Sequence, residues 1–275
     1  MATVIELIYY PVKGCAGTSV HGARLTPAGI AHDRSFMVVG ADGVARTQRR
    51  DPLLATVRPE ITTDGAHLTL RAPGIDAVTL AVDTEGPRRG VELFGEPYQG
   101  IDQGDTVAGW LSQVLGAESR LVRVPPEHAR PTDGLTPGTC GYADSNALLV
   151  ASTASLELLN ERITARGAKP LPMSRFRANI VLAGWDEPHT EDRARRVLAG
   201  GAELGYAKPA IRCAVTLVDQ ETGARRGPEP LRSLADYRRA AGGGVAFGAK
   251  FSVVRHGDLA VGDEVTVASW GASEV

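Results

Sequence analysis

"PAIRCAVTLVDQETGARRGPEPLRSLADYRR", Pro209 to Arg239, is the stretch on which the reading of this chain turns. "AIRCAVTLVD" is an apolar, β-branched run of strand type. "ETG" turns it into "ARRG", and "EPLRSLADYRR" suits only a short helix. The run also carries Cys213 beside Arg212. Taken alone, Cys213 fits a silent core residue best, since cysteine is among the most buried residue types. A metal ligand or a nucleophile remain open. On a regular strand Arg212 and Cys213 point to opposite faces, whereas at a strand end or bulge they could converge. A nearby guanidinium would then favour the thiolate.

Outward from this stretch the chain reads mostly as strands. "TVIELIYYPV" (Thr3 to Val12) is β-rich, and "RSFMVVGADGVAR" (Arg34 to Arg46) reads as two strands around Asp42-Gly43. "AHLTLRAP", "AVTLAVD", "SNALLVAS", "RANIVLAGW", "GAELGYA", "FSVVRHG" and "DLAVGDEVTVAS" add further strands. Two helices stand out. One runs from Asp105, the expected N-cap, to Gly116; the other starts at Ser152 or Thr153, sets Leu156, Leu159 and Ile163 on one face, and ends at Gly167. "PPEHARPTDGLTPGTCG" (Pro125 to Gly141) reads as a long loop. Strands and helices do not alternate, which excludes a doubly wound sheet and favours a β-barrel with peripheral helices.

Length and composition agree. The chain has 275 residues, enough for two domains or one large one, with 43% hydrophobic residues to fill a core. Its net charge of −2 gives no nucleic-acid footprint, although "RTQRR" (Arg46 to Arg50) is a local candidate for binding an anion. Cys15, Cys140 and Cys213 are odd in number and widely spaced, so neither a disulfide framework nor a four-cysteine cluster is expected. The start carries Glu6 within its apolar run and reads as a strand rather than a signal peptide. No stretch has the length of a membrane span, so the chain reads as soluble and cytoplasmic.

Cations recur at strand mouths. Lys13 follows a strand in "YPVKGCAG", Arg34 precedes one in "GIAHDRSFMVV", and Arg175 and Arg177 precede another in "SRFRANIVL". Singly each reads as a solvated cation; together, in a barrel, they could hold a phosphate or another anion.

"YPVKGCAG", "HDRSFMVV", "DSNALLVAS…LELLNERI", "SRFRANIVL" and "RCAVTLVDQETGARRGPEPLRSLADYR" stand in this order from Ile5 to about Val267. In this the chain resembles MOSC-domain proteins with an N-terminal MOSC β-barrel, among them the mitochondrial amidoxime-reducing component and bacterial N-hydroxylated-base reductases. The resemblance implies a mainly β (α+β) fold. Residues 1–120 would form the N-terminal β-barrel-like domain and residues 121–275 the MOSC β-barrel with peripheral helices.

The resemblance further implies a molybdenum cofactor (Mo-molybdopterin) whose metal is held by the pterin dithiolene and by Cys213, a soft thiolate suited to a metal that changes oxidation state. Lys13, Gly14, Arg34, Asp144, Asn146, Arg177, Asn179 and Arg212 match the family's cofactor-binding positions. Gly14 departs from a common serine. Lys250, in "FGAK", stands where relatives often carry asparagine or tyrosine, and would add positive charge to the pocket. The implied activity is a molybdenum-dependent oxidoreductase reducing N-hydroxylated small molecules, with Cys213 catalytic. Its electrons would come from a separate flavin, iron–sulfur or cytochrome-type protein, since neither a ferredoxin-like tail nor a nucleotide-binding glycine fingerprint is visible. No nucleic-acid or membrane partner is expected. Two other readings stand beside it: a sulfur carrier using a Cys213 persulfide, and a cofactor-binding protein without catalysis.

Overall fold

The computed structural model describes residues 1–275, and the fold is mainly β. Seven strands, numbered in chain order, close a barrel: β1 (Ala2–Tyr9), β2 (Leu148–Ser152), β3 (Ile180–Ala183), β4 (Ala194–Ala199), β5 (Ala202–Arg212), β6 (Val245–Arg255) and β7 (Glu264–Trp270). Their order around the ring is β3-β2-β6-β5-β4-β7-β1, and β1 pairs back onto β3. Closure leaves no free edge within the ring. The β2–β3 pair is parallel, and the connection between its strands contains a helix, as a parallel pair requires.

Residues on both sides of position 120 share this ring. Leu7 of β1 pairs with Ile180 of β3, and Ala2 pairs with Val265 of β7. Elsewhere in the first half, Thr18–Val20 pairs with β1, Gly22–Thr26 lies between Gly29–Ile30 and Asp258–Ala260, and a four-stranded sheet has the order Phe36–Gly40, Ser119–Arg123, Glu96–Asp102, Arg88–Leu93. A three-stranded sheet of Arg58–Ile61, His67–Ala72 and Ile75–Ala81 lies beside it in the chain.

The apolar run "LLVAS" of β2 is buried on both faces, which is why it lacks alternation. Leu148 and Val150 join the barrel core with Ile180, Leu204 and Phe251. Leu149 and Ala151 face the other way, into a second core with Leu159 and Ile163 of α2 (Thr153–Ala165) and with Phe176 and Phe247. Ser152 caps α2, its Oγ accepting from the Ser155 N–H at 3.2 Å. Gly167 lies just beyond the helix, at φ 78°.

Four sequence expectations need correction. The cap of α1 (Asp105–Leu115) is Gly104, and Asp105 is its first residue, bonded to Arg120 at 2.7 Å. "RSFMVVGADGVAR" gives one strand, Phe36–Gly40. Its return arm is joined to it by a single Val39–Ala45 bridge, in which the Gly40 N–H donates to the Val44 carbonyl and the Arg46 N–H to the Val38 carbonyl, at 3.0 and 2.8 Å, while the Ala45 N–H, on the opposite side, donates to Glu92. "GAELGYA" and the start of "AIRCAVTLVD" are one strand, β5, with register shifts near Lys208 and Ala210. Finally, β5 stops at Arg212: Ala214–Leu217 is a 3₁₀ turn held by the Thr216 N–H and Oγ1, which both donate to the Cys213 carbonyl, at 3.0 and 2.9 Å.

Candidate functional site

Because the strand ends at Arg212, Arg212 and Cys213 do not have to face opposite ways. Both line one cavity of ≈ 300 Å³. The same cavity gathers the loops at other strand ends. Lys13 and Gly14 follow β1; Asp144 and Asn146 precede β2; Arg177 and Asn179 precede β3; Lys250 comes from within β6. Arg34 reaches it from the segment before Phe36–Gly40. All ten residues that the resemblance points to therefore border one space, but Arg175, singled out with Arg177, does not: it is buried, donates to the Thr216 carbonyl at 3.2 Å and pairs with Asp219 at 3.5 Å.

Their electrostatics differ. The Lys13 ammonium donates to the Tyr142 carbonyl at 2.9 Å and to the Asp144 carboxylate. Burial draws its pKa down, against the pull of Asp144. Burial would push Asp144 up, but Lys13 and Lys250 outweigh it and hold the carboxyl well below the usual range. Arg34 pairs with buried Asp33 at 2.6 Å, and that anion, prevailing over burial, raises its pKa. Arg177 and Arg212 have no carboxylate partner. Arg177 donates to Gln220 at 3.1 Å and Arg212 to the Phe176 carbonyl at 2.8 Å, and burial lowers both pKa values. Lys250 has no hydrogen bond or ion pair in the chain; burial, opposed by Asp144 and reinforced by neighbouring cations, lowers it to about 8.

Two polar atoms on this wall are buried and unpartnered: Arg212 Nε and Asn146 Oδ1. A buried group without a partner is destabilising, so a cavity with such groups and two unpaired guanidiniums is shaped for a polar, anionic ligand. Asn179 behaves otherwise. Its Oδ1 accepts from Leu149 N–H and Arg34, and its Nδ2 donates to Ile8 and Asp33, at 3.0 to 3.2 Å. That exhausts the amide's usual capacity, so Asn179 orients Arg34 and has nothing left for a ligand.

Among the three thiols only Cys213 lines the cavity, and it is half-buried. Cys15 is enclosed, and burial pushes its thiol up to about 12. Cys140 is also buried, its Sγ 3.3 Å from the Ser145 carbonyl and 3.5 Å from Arg130. No group of three or more His, Cys, Asp or Glu is placed to hold a metal. A metal at Cys213 would therefore need most of its ligands from a cofactor.

Sequence reasoning missed part of the wall. Tyr10 lies behind the cavity, with the Arg34 and Arg177 guanidiniums over its ring. Phe94 lies at the turn of the hairpin formed by Arg88–Leu93 and Glu96–Asp102. The alternation of "VELFGEPYQGI" about Gly95 was the available signal for that hairpin. Of "RTQRR", the basic cluster named from the sequence as an anion candidate, Arg49 lines the cavity and Arg46 and Arg50 do not.

Residues 1–118 match the MOSC N-terminal beta barrel domain, and residues 137–266 match the MOSC domain. The mitochondrial amidoxime-reducing component 1 of Mus musculus is 33% identical over 286 residues, spanning 96% of this chain and 82% of that protein. The chain belongs to the MOSC-domain family. Mitochondrial amidoxime reducing component 2 of Bos taurus is also 33% identical to this MOSC protein, over 96% of this chain and 83% of the relative. The molybdenum cofactor sulfurase of Danio rerio is 32% identical over 90% of this chain, but the MOSC chain spans only 31% of its length. No helix of the MOSC protein is long and apolar enough to cross a membrane.

Proposed function

We propose that this MOSC protein is a molybdenum-cofactor-dependent oxidoreductase that reduces N-hydroxylated small molecules. The observation that carries this reading is a lone half-buried thiol, Cys213, on a cavity wall with two guanidiniums that lack carboxylate partners. The relatives named amidoxime-reducing components supply the reaction class. The residues present fit the cofactor: a soft thiolate for the metal, cations for a pterin phosphate, and the free Asn146 Oδ1 for a pterin N–H.

In this reading Cys213 would hold the metal, while Lys13, Arg34, Arg177 and Arg212 would surround the phosphate. Asp144 keeps Lys13 aligned and Asn179 keeps Arg34 aligned, so the cations are in place before the ligand arrives. Lys250 adds an unpaired positive charge to the wall. When bound, the cofactor supplies a metal centre that removes oxygen from an N–O bond. The overall change consumes two electrons and two protons per N-hydroxyl group and releases the amine-level product and water. A separate flavin, iron–sulfur or cytochrome-type protein would deliver the electrons.

The test is the molybdenum and pterin content of protein purified from a cofactor-competent host, beside Cys213→Ala. Near-stoichiometric metal in the wild type, lost in the variant, is expected, together with reduction of an amidoxime by an artificial donor. A well-folded wild type that takes up no cofactor on reconstitution would defeat the proposal and favour persulfide transfer through Cys213. Full metal without any reduction would leave a binding protein.

A further inference from the structure

Phe94 occupies a position where its residue type is unfavourable for folding. It and Gly95 are the two loop residues of a hairpin whose flanking Leu93 and Glu96 pair directly, and both have positive φ, 57° and 84°. Such a turn favours Asn or Asp before the glycine, because a larger side chain strains the left-handed backbone. The ring is not sheltered as compensation: Phe94 is 45% exposed, and it borders the cavity mouth. Strain at a site that faces a ligand cavity points toward function.

Arg49 comes from a different segment and meets the same ring, its guanidinium carbon 5.3 Å from the centroid. The Arg49 side chain is exposed and makes no hydrogen bond or ion pair within the chain. Lys13 approaches the ring as well, at 4.7 Å, but its ammonium is committed to Tyr142 and Asp144. The cavity is at the small end of ligand sites, so a cofactor-sized molecule would fill it and leave a substrate at the mouth.

Resting on the cofactor reading above, we propose that Phe94 and Arg49 form the substrate subsite, which selects flat N-hydroxylated compounds that bear a carboxylate or phosphate. The ring offers a stacking face, and the free guanidinium offers a bidentate partner for the anion. Both residues come from the first 120 positions, whereas Cys213 follows β5, so the two halves of the chain would divide recognition from chemistry.

The experiment compares binding of benzamidoxime and of its para-carboxylate to protein of verified molybdenum content, by calorimetry, in the wild type, Arg49→Gln and Phe94→Asn. The wild type is expected to bind the carboxylate at least about tenfold more tightly than the neutral compound. Arg49→Gln should erase that preference and leave the neutral compound unchanged. Phe94→Asn should weaken both by about tenfold while raising the urea midpoint, since asparagine suits the turn. Equal affinities in the wild type, or a preference that survives Arg49→Gln, would overturn the proposal. Molybdenum lost from either variant would also overturn it, by assigning these side chains to the cofactor. If the wild type binds the carboxylate preferentially but reduces neither compound, the subsite stands and the reductase reading fails.

Discussion

The Arg34 and Arg177 guanidinium carbons each lie 4.2 Å from the centroid of one ring, that of Tyr10. Both arginines adopt left-handed backbone, φ 47° and 57°, which is uncommon for a non-glycine residue. Tyr10 is buried, and its hydroxyl donates to the Ala178 carbonyl at 3.2 Å. One aromatic side chain thus contacts both cations, adding to the hold of Asp33 and Asn179 on Arg34 and of Gln220 on Arg177.

Tyr10 is therefore expected to position the anion-binding pair. Each cation–π contact contributes about 0.5–2 kcal/mol. Tyr10→Leu should lower the apparent affinity for cofactor by tenfold or more, read as molybdenum retained after dialysis. Tyr10→Phe keeps the ring and loses one hydrogen bond, about 1 kcal/mol. It should retain the cofactor and lose only stability. Equal retention by Tyr10→Leu would remove the positioning role.

The sequence shows the secondary elements more readily than the ends that build the site. Helix α2 was legible because Ser152, the Leu159–Ile163 face and Gly167 all agree. The stop at Arg212 was not, since "AVTLV" has strand composition and its 3₁₀ turn depends on Thr216 bonding back to the Cys213 carbonyl. Lys13 and Cys213 come together through ring closure, Arg34 through its backbone bonds to Tyr10 and Tyr142, and only the family motifs imply a cofactor for them. Nothing local in "LFGEP" places a phenylalanine at positive φ beside Arg49. That juxtaposition depends on how two distant segments pack.

Gly14 shows why a serine would not be neutral here. Its φ is 80°, and a Cβ would lie 3.2 Å from Leu54 Cδ1. Gly14→Ser should lose about 1–2 kcal/mol from the left-handed conformation. A lower urea midpoint with an unchanged slope would register this. A midpoint at or above that of the wild type would mean that the added hydroxyl finds a partner worth more than the strain.

Arg238 follows the short α3 (Leu231–Leu234), at the far end of the segment that begins at Cys213. It is buried against the fully buried carboxylate of Asp192. Removing one partner of such a pair costs about 3–5 kcal/mol, because the remaining charge stays buried. Arg238→Met should lower the unfolding free energy by that amount, a large share of a typical domain's total. Adding Asp192→Asn should recover more than half of the loss, because the uncompensated charge is gone. A double variant no more stable than the single would place the cost in packing.

Lys250 provides a test by pH in the cofactor-free protein. Its folded pKa is about 8 against an ordinary 10.5, lowered by burial and by Arg212, Arg34 and Lys13, with Asp144 opposing. Below pH 8 the ammonium is protonated in both folded and unfolded chains, so the folded state carries the whole penalty of its burial. Between pH 8 and 10.5 the folded chain has shed the proton while the unfolded chain still binds it, and stability from this group rises with pH. Lys250→Met should therefore be more stable than the wild type at pH 7, by an advantage that shrinks steadily through pH 8 to 10.5. Urea midpoints of both proteins across that range measure it. An advantage that stays constant up to pH 10.5 would show that the ammonium is solvated, and that Lys250 adds no unscreened charge to the cavity.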